Sequence, residues 1–143
     1  MPPGTGDAQI SLTQMVQVKG SVVVTTPQEV ALSDVRKAIN MMRKVNVEVF
    51  SIVENMAGFV DSAGKRHDIF GSGGGESLAK AFDIPLIASV PIHPAIREGG
   101  DKGEPIAASG EGELAEVFNV IAENIETCVE RVNKNSQSVQ VVN

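Results

Sequence analysis

Ser21-Val22-Val23-Val24-Thr25, followed at once by Thr26-Pro27-Gln28-Glu29, is the stretch whose reading decides the fold. The first five residues are mostly β-branched and show no polar alternation, as expected of a short strand buried on both faces. The next four predict a helix start, with Thr26 as cap, Pro27 at the first helical position and Glu29 placed to close a capping box. Val35, Ala38, Ile39 and Met42 then recur at helical spacing, while Asp34, Arg36, Lys37 and Arg43 lie largely off that stripe. A second strand follows over Val47-Glu48-Val49-Phe50-Ser51-Ile52-Val53. Strand, helix and strand in succession, with strands this apolar, predict a parallel sheet.

The pattern repeats outward from this unit. A helix is predicted from about Gly75 to Phe82, then a short strand over Pro85–Val90. A longer helix is predicted from about Glu113 to Val132, its apolar stripe formed by Leu114, Val117, Phe118, Ile121, Ile125 and Val129. Residues 133–143 are polar and unpatterned, and are expected to form a disordered tail. The expected fold class is α/β, a parallel sheet with flanking helices, in one domain over residues 1–132. Three strands make a thin sheet. The glycine-containing loop Met1–Asp7 has no strand ahead of it, so the chain is expected to begin within a domain.

Composition narrows the function classes. With 143 residues, 12 Lys+Arg against 18 Asp+Glu, and a net charge of −6, the chain lacks the basic surface that displaces counterions from phosphates. Five Phe and no Trp or Tyr leave few platforms for stacking bases, so no nucleic-acid partner is expected. No run approaches the roughly 20 apolar residues of a membrane span. The single cysteine, Cys128, suits a reducing compartment, and a cytoplasmic location is expected. It is predicted to be a buried, inert thiol.

Five segments invite a chemical reading, each beside a structural one. Pro2-Pro3-Gly4-Thr5-Gly6-Asp7 suits close approach of backbone N–H groups to an anion at a helix start, and equally a plain turn. Asn55, where the second strand is expected to end, suits a base edge or a turn. Gly71-Ser72-Gly73-Gly74-Gly75 suits an anion loop or a closely packed joint. Phe59 to Phe70 predicts a hairpin turning at Asp61–Gly64, with His67 and Asp68 too few for a metal site. Pro91-Ile92-His93-Pro94-Ala95-Ile96-Arg97-Glu98 predicts a helix starting at Pro94, with Arg97 suited to a phosphate or to a surface ion pair.

Taken in order, Met1–Asp7, Val24–Glu29, Val53–Met56, Ile69–Glu76 and Pro91–Glu98 closely resemble the Mrp/Nbp35 (ApbC-like) family of P-loop ATPases, iron–sulfur cluster carriers of the deviant-Walker class. The resemblance covers about residues 1–125 and implies the C-terminal half of such a fold. It implies that Gly4, Thr5, Gly6 and Asp7 form a switch loop facing the γ-phosphate and that Asn55 contacts adenine. It places Pro91 and Ile92 against the base, and Thr26 near the nucleotide and the dimer interface. For the full-length protein it implies ATP with Mg2+, ATP hydrolysis, a homodimer, and iron–sulfur client or scaffold partners. These 143 residues contain no G-x-x-x-x-G-K-[ST] loop. Where many members carry Cys-x-x-Cys, the ligands of a bridging [4Fe–4S] cluster, Asp61-Ser62-Ala63-Gly64 stands instead. The chain alone is therefore expected to be inactive, and marginal in stability or partnered. The alternative is a non-catalytic α/β module that retains the fold and docks a partner.

Overall fold

The computed structural model describes residues 11, 13 and 15–140. Its elements are β1 (Ser21–Thr25), α1 (Glu29–Lys44), β2 (Val49–Val60), β3 (Arg66–His67), α2 (Gly74–Phe82), β4 (Leu86–Ile92), α3 (Pro94–Lys102), a 3-10 turn (Ile106–Ser109) and α4 (Glu113–Gln140). β2 is the central strand. It pairs in parallel with β1 through Val22↔Ser51 to Thr25↔Glu54, and in parallel with β4 through Val53↔Ala88 to Asn55↔Val90. The two-residue β3 pairs antiparallel with the far end of β2, Phe59↔His67 and Val60↔Arg66, closing the predicted hairpin. The sheet is thus parallel in its body and mixed at one end, with helices flanking it as expected.

Alternation along β2 divides the core. Ile52, fully buried, joins Val23, Leu32, Val35, Ile39, Leu78 and Ile84 in one cluster that binds β1, α1, β2 and α2 together. Its neighbour Val53 faces the opposite side, where α4 packs on β4 and β2. Val24 is the register partner of Val53, yet it is 57% exposed, because α4 does not reach across to β1.

Several expectations are corrected. The capping box at α1 does not form. Pro27 precedes the N-cap instead of opening the helix; the N-cap is Gln28, whose side chain makes no capping bond. Thr26 lies two residues ahead of that cap, out of reach, and Glu29 pairs with Arg36, two turns along the same helix. β2 does not end around Asn55 but continues to Val60, taking up a left-handed Met56 (φ 57°) and Gly58 (φ 99°) where its register with β4 shifts. α4 continues through Asn133 to Gln140, where a tail was expected. Neither Gly nor Pro interrupts residues 133–140, and Lys134 pairs with Glu130 one turn back, so no local signal stops the helix. The helix start expected at Asp7 lies outside the described residues.

The buried cluster sets an expected stability scale. Ile39 has no exposed surface, so Ile39→Ala should cost about 2–5 kcal/mol of unfolding free energy by urea titration, with an unchanged m-value. Val30→Ala, at an exposed position, should stay within about 0.5 kcal/mol.

Candidate functional site at the carboxyl end of the sheet

The parallel body of the sheet ends at Thr25 in β1 and Glu54-Asn55 in β2, so both strands deliver their next residues to one edge of the molecule. Open α/β sheets bind ligands at this end. Thr25, Thr26, Gln28 and Asn55 line the upper part of a groove of about 480 Å3 there. The rest of that groove runs down the outer flank of β1 between Val22, Val24 and the α1 residues Val30, Ala31 and Ala38. Thr26 and Asn55, 29 positions apart in sequence, are thereby brought together.

Two details give this end its chemistry. The Oγ1 of Thr26 is buried and has no hydrogen-bond partner among the described residues. A buried hydroxyl left unpaired costs about 1–3 kcal/mol, so it is poised for an incoming acceptor or donor. The Oδ1 of Asn55 accepts the Met56 N–H at 2.9 Å. That bond orients the carboxamide and stabilises the left-handed Met56, and Oδ1, not Nδ2, is the atom it uses.

Glu54, missed by sequence reasoning, anchors the site. Only 6% exposed, it accepts the Gly75 N–H at 2.6 Å, tying the N-terminus of α2 to β2 one residue before Asn55. A carboxylate is well placed at a helix N-terminus, whose first N–H groups lack helical partners. The glycines make the approach possible. A Cβ on Gly74 would sit 2.4 Å from the Pro27 carbonyl oxygen, and one on Gly75 2.8 Å from Glu54 Oε2. Of the two readings of Gly71–Gly75, the closely packed joint is the one observed, since the chain's own carboxylate occupies the Gly75 N–H. The available signal was the pairing of an acid at a strand end with a triple glycine, but nothing local links positions 54 and 75.

Pro91 and Ile92 belong to the end of β4, just past Val90, the partner of Asn55. Ile92 pairs with Phe59, and neither residue lines the groove. Gly4, Thr5, Gly6 and Asp7 lie outside the described residues. Arg97 is engaged by Glu98 and Asp101 on the surface of α3, the ion-pair alternative. Cys128 is half-buried on α4.

The hairpin beyond Val60 is closed by its own side chains. Asp61 Oδ1 accepts the N–H groups of Ala63 and Lys65, each at 2.9 Å, and Oδ2 accepts from His67 Nε2 at 2.8 Å. Arg66 donates to Asp68 and to the Ala57 carbonyl oxygen, fixing the hairpin to the distorted part of β2. His67 and Asp68 are therefore both occupied. Among the described residues, no group of three His, Cys, Asp or Glu is placed to hold a metal ion.

Residues 1–126 match the ParA family, described as NUBPL iron-transfer P-loop NTPase. The chain is 48% identical over 128 residues to the iron-sulfur cluster carrier protein of Synechocystis, covering 87% of this chain and 36% of that protein. It is 45% identical over 127 residues to the carrier of Escherichia coli K12, covering 87% and 34%. The chain thus spans about a third of the length of these relatives and corresponds to a C-terminal portion of them. Among solved structures, the nucleotide-binding protein of Archaeoglobus fulgidus in complex with ADP superposes with a TM-score of 0.68 at 37% identity, over 82% of this chain and 48% of that one. The cell division ATPase MinD of Pyrococcus furiosus gives 0.63 at 25% identity, over 88% and 49%.

Two expected outcomes follow from the contacts above. Gly75→Ala should destabilise by about 1–3 kcal/mol through overpacking. In a Glu54→Ala background the same change should cost at least about 1 kcal/mol less, a coupling read from a double-mutant unfolding cycle; additive effects would deny the contact. At the hairpin, the bond from His67, with the Lys65 and Ala63 N–H groups, holds the Asp61 carboxyl below the ordinary aspartate value of 3.8 against the opposing effect of burial. A lowered folded-state value means that the contribution is complete above that ordinary value and is lost as pH falls through the lowered one. Amide exchange at Ala63 and Lys65 should accelerate in that acid range, and Asp61→Asn should remove the dependence.

Proposed function

Because the chain belongs to the family of NUBPL-type iron-transfer P-loop NTPases, we propose that it is the C-terminal part of an ATP-binding and ATP-hydrolysing iron–sulfur cluster carrier. The observation that carries this reading is the convergence of Thr26, with its unpaired buried Oγ1, and Asn55, with its oriented carboxamide, at the carboxyl end of the parallel strands. Asn55 Nδ2 donates to an acceptor nitrogen of adenine, and Thr26 lies toward the nucleotide and the second subunit of a homodimer. Pro91 and Ile92 form the apolar wall beside the base, past the strand position that pairs with Asn55. Gly4, Thr5, Gly6 and Asp7 form the loop that responds to the γ-phosphate, ordering with ATP and relaxing after hydrolysis.

The triphosphate and its Mg2+ are gripped by the N-terminal portion of the fold. Phosphoryl transfer is catalysed by positioning and charge neutralisation, and these 143 residues contain no lysine loop of the Walker type to supply them. The chain's donor set does not fit a [4Fe–4S] cluster. One half-buried thiol, Cys128, cannot replace four thiolates, and the hairpin offers Asp61-Ser62-Ala63-Gly64. The cluster is therefore cargo for which these 143 residues supply no set of thiolate ligands.

The test is equilibrium titration of ATP and GTP against the protein assembled with the N-terminal portion of the family. Asn55→Ala should weaken ATP binding about tenfold, the equivalent of one lost hydrogen bond, and narrow the preference for ATP over GTP. The 143-residue chain alone should turn over no ATP. Unchanged affinity would remove Asn55 from the pocket, and absence of nucleotide binding by the assembled protein would favour a non-catalytic partner-binding module.

A further inference from the structure

The first turn of α2 touches every described segment that carries a candidate site residue, although it carries none itself. A Cβ on Gly74 would lie 2.4 Å from the Pro27 carbonyl oxygen and 2.9 Å from Leu32 Cδ1. One on Gly75 would lie 2.8 Å from Glu54 Oε2 and 3.1 Å from Leu86 Cδ1. Pro27 follows Thr26, Glu54 precedes Asn55, and Leu86 opens the strand that ends at Pro91 and Ile92. Packing this close leaves no room for a methyl group, so a shift of one of these segments is resisted by the others.

The polar member of this joint is Glu54, and it acts where the sheet stops holding β2. Pairing with β1 ends at Thr25↔Glu54, and pairing with β4 is interrupted between Asn55↔Val90 and Phe59↔Ile92. The bond from the Gly75 N–H to the Glu54 carboxylate, at 2.6 Å, is thus fixed immediately ahead of Asn55 and the left-handed Met56. Glu54 is not itself placed to touch a ligand in the groove. It is 6% exposed, it does not line the groove as Asn55 does, and alternation puts it on the face of Ile52, opposite Asn55.

We propose that Glu54 is a positioning residue for base recognition: by binding the start of α2 it sets the depth and orientation at which Asn55 meets a purine, and with them the preference for ATP over GTP. This rests on the reading of Asn55 as the base contact. The role is one of reach, since the bonded group is a main-chain N–H that a neutral carboxamide oxygen can also take.

Two variants separate reach from charge. Glu54→Gln keeps the length and an acceptor oxygen without the charge; Glu54→Asp keeps the charge one methylene short. In the 143-residue chain, Glu54→Asp should speed amide exchange at Gly75 and Met56 about tenfold, the equivalent of one lost hydrogen bond, and Glu54→Gln should retain most of the protection. In the assembled protein used for the ATP and GTP titrations, Glu54→Asp should weaken ATP about tenfold and leave GTP unchanged, with most of the preference restored in Glu54→Gln. A merely structural role would weaken both nucleotides alike. Any of three results overturns the proposal: a wild-type preference in Glu54→Asp, equal weakening of ATP and GTP, or a loss of preference in Glu54→Gln as large as in Glu54→Asp. Should the wild-type assembly bind no ATP while exchange at Met56 responds as expected, the adenine reading falls and the hold of Glu54 on Asn55 stands.

Discussion

The position of β2 between two parallel partners is the constraint on which the remainder of the structure depends. Its backbone is bonded on both edges, and its side chains are buried on both faces, Ile52 under α1 and α2 and Val53 under α4. A strand in that position has no solvent-facing side to carry polar residues. Where it emerges at the carboxyl end it must change character, and Glu54 and Asn55 mark the change. Glu54 is retained in the buried region because the N-terminus of α2 supplies a donor for its carboxylate. Asn55 follows at the rim, free to face a ligand.

The same geometry explains why three glycines precede α2. The helix must start close enough for a main-chain N–H to reach Glu54, and the first turn then runs against the Pro27 carbonyl and Leu32. Gly73 takes a left-handed conformation as N-cap (φ 74°), and Gly74 and Gly75 leave no side chain in the contact. A motif that resembles an anion-binding loop is thus a packing joint, and it fixes the height of Asn55 relative to α2. The hairpin beyond is an independent local unit, closed by Asp61 and Arg66. It replaces with an Asp–His pair what a metal-binding hairpin would do with thiolates.

The asymmetry of the two sheet edges bears on function. Beside β4 the sheet is covered by α4, and the strand itself carries a proline. Beside β1 the helix layer on one face is present but the other face is bare at Val24. Thr26 and Asn55 line the groove on that side.

By itself the sequence determined the strand–helix order, the parallel body of the sheet, the hairpin turn, the start of α3 at Pro94 and the family. Each is written in a local period, a run of β-branched residues, a turn composition or a short ordered motif, and needs no knowledge of distant contacts. Tertiary structure alone decided the rest. It carried β2 past Asn55, because a left-handed Met56 stabilised by the Asn55 side chain keeps the strand going into the hairpin. It paired Glu29 with Arg36 in place of the capping box, and it joined Glu54 to Gly75 across 21 positions. It extended α4 to Gln140 and left the flank of β1 open. The physical reason is common to these cases. Local patterns report what a segment buries, whereas the partner of a carboxylate, an N–H or a strand edge is fixed by which residues the folded chain brings within about 3 Å of it.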